Sequence, residues 1–104
     1  MIQAIQSFLL SIVIYIYVIA ETPAGPCKIG FSVNPHRRMR QFQTGYPAPL
    51  TMFHCVGFEP KRGKLVEKII HSTINYKRIR GEWFNISVAD AKAELDFALI
   101  RYGE

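Results

Sequence analysis

The feature that most constrains this chain is its first twenty residues, Met1 to Ala20, which carry no charge at all. Such a stretch leaves water either for a bilayer, which about 20 apolar residues can just span, or for a protein core. Gln3, Gln6 and Ser11 interrupt the run, and no Lys or Arg precedes it as a signal peptide requires. From Ile12 to Ile19 the residues are β-branched or aromatic, the side chains that suit a pleated, buried strand. The expectation is therefore a buried strand over 12–20 and no membrane partner. Residues 1–11 become an apolar extension that includes a short helix over 3–10.

Local signals place the remaining elements. Glu21 to Pro26 is a Pro- and Gly-rich turn, so the strand at 27–31 pairs with the first as a hairpin. Asn34-Pro35 caps and opens a helix to about Gln43. A third strand follows over 50–57. An amphipathic helix is expected over 61–76, with Leu65, Val66, Ile69, Ile70, Thr73 and Ile74 on its apolar face. Glu82-Trp83-Phe84 reads as a short extended piece, and Ser87 with Asp90 caps a last helix to about Tyr102. The order predicts an α+β fold, a small antiparallel three-stranded sheet flanked by helices, as one domain over 12–104. A domain this small is marginal by itself, so a homodimer is an expected option. Cys27 and Cys55 belong to no CxxC pattern, which suits a reducing compartment and argues against a zinc module or a disulfide framework.

Charge is distributed unevenly. Between Lys28 and Arg80 stand eleven Lys or Arg and two acids, Glu59 and Glu67, a balance of +9; the rest of the chain carries −4, which gives the net +5. A basic block with an acidic C-terminal end reads as an anion-facing surface with a solvated back. The expected nucleic-acid contacts within it are Arg37, Arg40, Lys64, Lys68, Lys77, Arg78 and Arg80.

Strand alternation puts Tyr15 and Tyr17 on one face, and Lys28 and Gly30 on one face of the second strand. Paired as a hairpin, these strands bring a phenol and an ammonium together, with Gly30 leaving room for a ligand backbone. On the first helix Met39 and Phe42 point inward, and Arg38 borders them, where its planar fork suits a phosphate. On the second helix Glu67 and His71 are one turn apart, and a carboxylate there can hold a hard divalent cation. Each feature also has a bland reading: core tyrosines, a snorkelling Arg, an ordinary surface pair. Trp83 and Phe84 are expected to pack against the last helix and let Glu82 meet a nearby Arg; the functional alternative is base stacking.

In order, Ile16-Tyr17-Val18-Ile19, Lys28-Ile29-Gly30-Phe31-Ser32, Asn34-Pro35-His36-Arg37-Arg38, Thr44-Gly45-Tyr46-Pro47, Glu67-Lys68-Ile69-Ile70-His71 and Gly81-Glu82-Trp83-Phe84 resemble the GIY-YIG nuclease superfamily. Their form is similar to its phage-type DNA-binding branch, also described as the meiotically up-regulated gene type. The resemblance covers about residues 14–90. It implies a DNA endonuclease that hydrolyses phosphodiester bonds with one Mg2+ or Mn2+ ion held by Glu67. It further implies that Tyr17 takes a proton from the attacking water and Arg38 neutralises charge on the phosphate. Lys28, placed in a slot relatives fill with Tyr, is expected from its charge to lower the Tyr17 pKa, and His71 to orient Glu67 or a water. The alternative is a catalytically weak or inactive DNA-binding module on the same fold. Tyr17, Lys28, Arg38 and Glu67 should converge on one concave basic surface; Arg38 and Glu67 on opposite sides of the sheet would break the nuclease reading. A cytoplasmic setting in a bacterium or phage-infected host cell fits the resemblance.

Overall fold

The computed structural model describes residues 12–102, so the helix expected over 3–10 lies outside the described residues. Ile14–Ala20 forms β1, hydrogen-bonded along both edges: β2 (Cys27–Ser32) and β3 (Thr51–Phe58) each run antiparallel to it. Every residue of β1 except Tyr15 is buried. A strand covered on both faces reads as a continuous apolar run, and that position accounts for the uncharged sequence of Ile14–Ala20. Among the described residues, no helix is long and apolar enough to cross a membrane.

The fold is α+β as expected, but the sheet has five strands rather than three, in the order β3-β1-β2-β5-β4. The two additions are β4 (Arg78–Arg80) and β5 (Trp83–Phe84). Arg78-Ile79-Arg80 is exposed throughout and lacks the apolar alternation by which a half-buried strand is read. It is a strand because the Gly81-Glu82 turn folds it back onto β5. Gly81 takes a φ of +55° there, a conformation that favours glycine.

Three helices pack on this sheet. In α1 (Pro35–Thr44) the Asn34 side chain accepts from the Arg37 amide, as the Asn-Pro pair predicts. In α2 (Pro60–Thr73) Glu59 caps the first turn, and the helix ends earlier than expected, giving way to a 3-10 turn at Asn75–Lys77. Its buried stripe is Gly63, Val66 and Ile70, continued by Ile74. Leu65 is 51% exposed and Thr73 is also exposed, so the apolar face is narrower than the sequence pattern suggests. α3 (Val88–Tyr102) begins where the Ser87 hydroxyl accepts from the Asp90 amide at 3.1 Å.

Alternation along β1 divides the interior in two. Ile16, Val18 and Ala20 face α2 and α3 together with Cys27, Ile29 and Phe84, and meet Val66, Ile70, Ile74 and Leu95. Burial of each of these large aliphatic side chains contributes roughly 1.5–3 kcal/mol, which makes this the face that holds the fold. Tyr17 and Ile19 point the other way, into a smaller cluster with Leu50 that Met39 and Phe42 of α1 cover. Both cysteines are free, Cys27 buried and Cys55 exposed.

Candidate active site

Strand β5 pairs with β2 only at Cys27 and Lys28. Beyond that point, among the described residues, Ile29 to Ser32 has no strand along its outer edge. Side chains and a turn satisfy that edge instead. The Ile29 amide donates to the Glu82 carbonyl at 3.0 Å, and the Ile29 carbonyl accepts from His71 Nε2 at 2.8 Å. The latter bond requires the proton on Nε2.

The site assembles at this open stretch. Tyr17 lies opposite Gly30 in the register, and its hydroxyl donates to Glu82 Oε1 at 3.2 Å. A Cβ on Gly30 would overlap both the Glu82 carboxylate and the Tyr17 hydroxyl. The space Gly30 leaves is therefore filled by this hydrogen bond, not kept for a ligand backbone. Lys28 Nζ lies 4.0 Å from the same Glu82 oxygen and 4.3 Å above the centre of the Phe42 ring.

This arrangement overturns the expected action of Lys28 on Tyr17. The Tyr17 phenol is pushed well above its ordinary value, first by burial, then by the Glu82 charge and the bond to it. Arg38 pulls it down, Glu67 adds to the rise, and Lys28 is not among the groups that move it. At neutral pH Tyr17 is a neutral donor, not a standing phenolate.

The expectation of one shared sheet face is corrected as well. α1, which carries Arg38, covers the Tyr17 face, whereas α2, which carries Glu67, packs on the opposite one. Both charges nevertheless bear on the Tyr17 phenol, Arg38 downward and Glu67 upward, at a level where β2 has no neighbour strand on its outer edge. The meeting place is a sheet edge, not a sheet surface. Glu67 is pushed up to about 7 by burial and then by Glu82, with Arg78 opposing. His71 does not turn toward Glu67; its bond to Ile29 and its ring contact with Phe84, at 5.0 Å between centres, pin α2 to β2 one turn after Glu67.

Of the basic residues singled out, Arg37 and Arg40 on α1, Lys64 and Lys68 on α2, and Arg80 on β4 are exposed. Arg78 is committed to the protein: its Nε donates to Asn75 Oδ1 at 3.0 Å, another nitrogen to the Gly81 carbonyl, and its guanidinium lies 4.7 Å over Phe84. Lys77 is half-buried, its ammonium 5.7 Å over the Tyr76 ring.

The T5orf172 domain family is matched over residues 13–99. This chain belongs to that family. The T5orf172 domain is GIY-YIG-like and of nuclease type, which agrees with the superfamily resemblance of the motifs. No curated protein and no solved structure matches the chain.

Two features of this T5orf172 domain escape a reading of the sequence. Glu82, the carboxylate at the centre of the site, was expected to meet an Arg; it meets Tyr17 and Lys28. The signal was its place in Gly81-Glu82-Trp83-Phe84, immediately beyond the basic block that ends at Arg80. Trp83 does not pack on the last helix either. It joins the Tyr17 cluster and stacks on Tyr46, with ring centres 5.7 Å apart, while Phe84 is buried in the main core beside α3.

Proposed function

We propose that this T5orf172 domain is a DNA endonuclease of the phage-type branch, cutting phosphodiester bonds at the β2 edge. The observation that carries the reading is the Tyr17 hydroxyl, bonded to Glu82 and acted on by both Arg38 and Glu67. A neutral phenol that already donates to a carboxylate works as a relay. Tyr17 accepts a proton from the attacking water on its oxygen while its own proton passes to Glu82. Lys28, at 4.0 Å from Glu82, holds the carboxylate in place. Arg38 is the group for the non-bridging phosphate oxygens, where its charge meets charge that develops during attack. His71 is a positioning residue that fixes α2, and with it Glu67, against the sheet.

The residues also suit a divalent cation. Among the described residues no group of three His, Cys, Asp or Glu gathers, but magnesium is commonly held by one or two carboxylates with water and substrate phosphate. Glu67 is a hard oxygen donor whose ionisation is resisted by burial and by Glu82, a strain that a nearby cation relieves. Glu67 would hold the ion. Mg2+ or Mn2+ bound there supplies Lewis-acid stabilisation of the phosphate and leaving oxygen. The exposed Arg37, Arg40, Lys64, Lys68 and Arg80 would grip the DNA backbone, in the cytoplasm of a bacterium or a phage-infected cell.

One observation favours the alternative of a binding module without catalysis: Tyr17 is 0% exposed, which keeps an attacking water from its hydroxyl. Supercoiled-plasmid cleavage with magnesium or manganese, set beside Glu67→Ala, separates the two. The nuclease reading expects relaxation by the wild type only, with DNA binding retained in the variant. A wild type that binds DNA and never cuts it with either metal leaves the binding module.

A further inference from the structure

The site has a neighbour that hydrolysis of a phosphodiester does not use. A cavity of about 240 Å3 opens beside it, lined by Lys28, Gln41, Phe42, Gly45, Tyr46 and Trp83. We propose that this cavity seats one unpaired nucleobase of the DNA, next to the bond that is cut. The inference rests on the reading of this chain as a DNA-binding nuclease and adds what kind of DNA it prefers.

The walls are those of a stacking site. Phe42, Tyr46 and Trp83 contribute three rings; Tyr46 and Trp83 are stacked on one another at 21°, with centres 5.7 Å apart, and their remaining surface lines the cavity. Stacking on aromatic side chains holds any base, but only a base that has left its own stack offers its faces. The cavity is smaller than the roughly 300–1,000 Å3 that drug-sized ligands occupy, so it admits a single flat ring system. A Cβ on Gly45 would meet nothing within 4 Å, which marks an open mouth. Gln41 is exposed there, and its amide both donates and accepts, as a base edge requires.

The walls are also held in place without a ligand. The Gln43 side chain donates to the Ala48 carbonyl at 2.9 Å and accepts from the Leu50 amide at 2.7 Å, which fastens the loop that carries Tyr46. The Tyr46 hydroxyl donates to Glu21 at 3.1 Å. A packing tryptophan is closed over by its neighbours; Trp83 instead stays half-buried at the wall of an open cavity.

Charge sets the path of the strand. Lys28 Nζ lies 5.5 Å over Trp83 and 4.0 Å from Glu82, the carboxylate that holds the Tyr17 hydroxyl, so one ammonium links the cavity to the site. On the other side Gln41 is shared with a second cavity of about 170 Å3 that Arg37 and Arg38 line. A nucleotide with its base on Trp83 and Tyr46 has a backbone phosphate within this chain of cations, a complementarity that neutral ligands lack.

Trp83 is the one tryptophan of the sequence, so its fluorescence reports on this cavity directly. The test titrates the full chain, in metal-free low-salt buffer, with a short paired duplex and with the same duplex carrying one unpaired thymine. The unpaired base should tighten binding by about tenfold and change Trp83 emission, while the paired duplex binds without that change. Tyr46→Ala should bring the two affinities together and leave paired binding as it was. Gln41→Ala, at an exposed position that the fold does not need, should move them in the same direction by a smaller factor. Equal affinities, or the same emission change with both duplexes, overturn the nucleobase seat and leave the DNA reading intact. Failure of both duplexes to bind at low salt overturns the two together.

Discussion

The two faces of the β1–β2 hairpin are built from alternate residues of the same strands and do opposite work. On one, Ile16, Val18, Cys27 and Ile29 meet α2 and α3 in a dry core without a charged side chain. On the other, Tyr17 and Lys28 share their level with Glu82, Phe42 and Trp83, so that a phenol, an ammonium and a carboxylate sit among aromatic rings. The first face should set stability and the second should set chemistry. The difference teaches that a period of two suffices to segregate these roles within one hairpin.

The sharpest way to break that division is Tyr17→Phe. It deletes one hydroxyl from the chemical face and should lower the cleavage rate by about 100-fold to 10,000-fold, the usual range for a general acid–base group, with little loss of stability. A variant that unfolds but still cuts while folded would erase the distinction. Ile70→Ala is the converse probe, removing a 2% exposed side chain from the dry face. It should cost about 2–5 kcal/mol in denaturant unfolding and leave the cleavage rate of the folded fraction unchanged.

Gly30→Ala tests the contact between the two roles. Its added methyl falls on Glu82 and the Tyr17 hydroxyl, so cleavage should fall with that of Tyr17→Phe while stability drops by about 1–3 kcal/mol.

A smaller effect sharpens the comparison through pH. Glu67 titrates at about 7, above its ordinary value of 4.5. A carboxyl raised on folding contributes stability that is complete below its unfolded value and is lost as pH rises through about 7. Metal-free Glu67→Gln should thus match the wild type near pH 4 and exceed it at pH 8. For a half-buried group the gain is on the order of 1 kcal/mol, read as a higher Tm at pH 8 only. Cleavage by the wild type should rise over the same window, since a metal needs the carboxylate ionised. Smallest of all, Arg37→Ala should reduce the salt slope of DNA binding by about one phosphate contact and leave the fold untouched.

What the sequence made legible was whatever local period or capping decides. Alternation set Tyr17, Lys28 and Gly30 on a common face, and the Asn34-Pro35 cap set the start of α1. The five-stranded sheet and the centre of the site were not legible, because both depend on one distant contact. Tyr17 and Glu82 are 65 residues apart, and the turn that joins them to a common edge follows a strand of exposed Arg-Ile-Arg. Alternation also told only part of the story: it put Lys28 on the face of the phenol, but could not show that Glu82 would take both.

The short hairpin that carries Glu82 has a consequence for how the molecule behaves on warming. Its strands are three and two residues long, and a two-stranded ribbon is marginal without support. Its supports are the short pairing with β2 at Cys27 and Lys28, the Ile29–Glu82 backbone bond, the Tyr17–Glu82 bond, Phe84 in the core and Trp83 on Tyr46. Segments held by so few contacts open at a lower free energy than the body of a protein. Two thresholds are therefore expected: one at which Glu82 swings away from Tyr17, which would stop the proposed cleavage, and a higher one at which the sheet itself melts. Amide exchange at Arg80 and Trp83 should mark the first, and exchange along β1 the second.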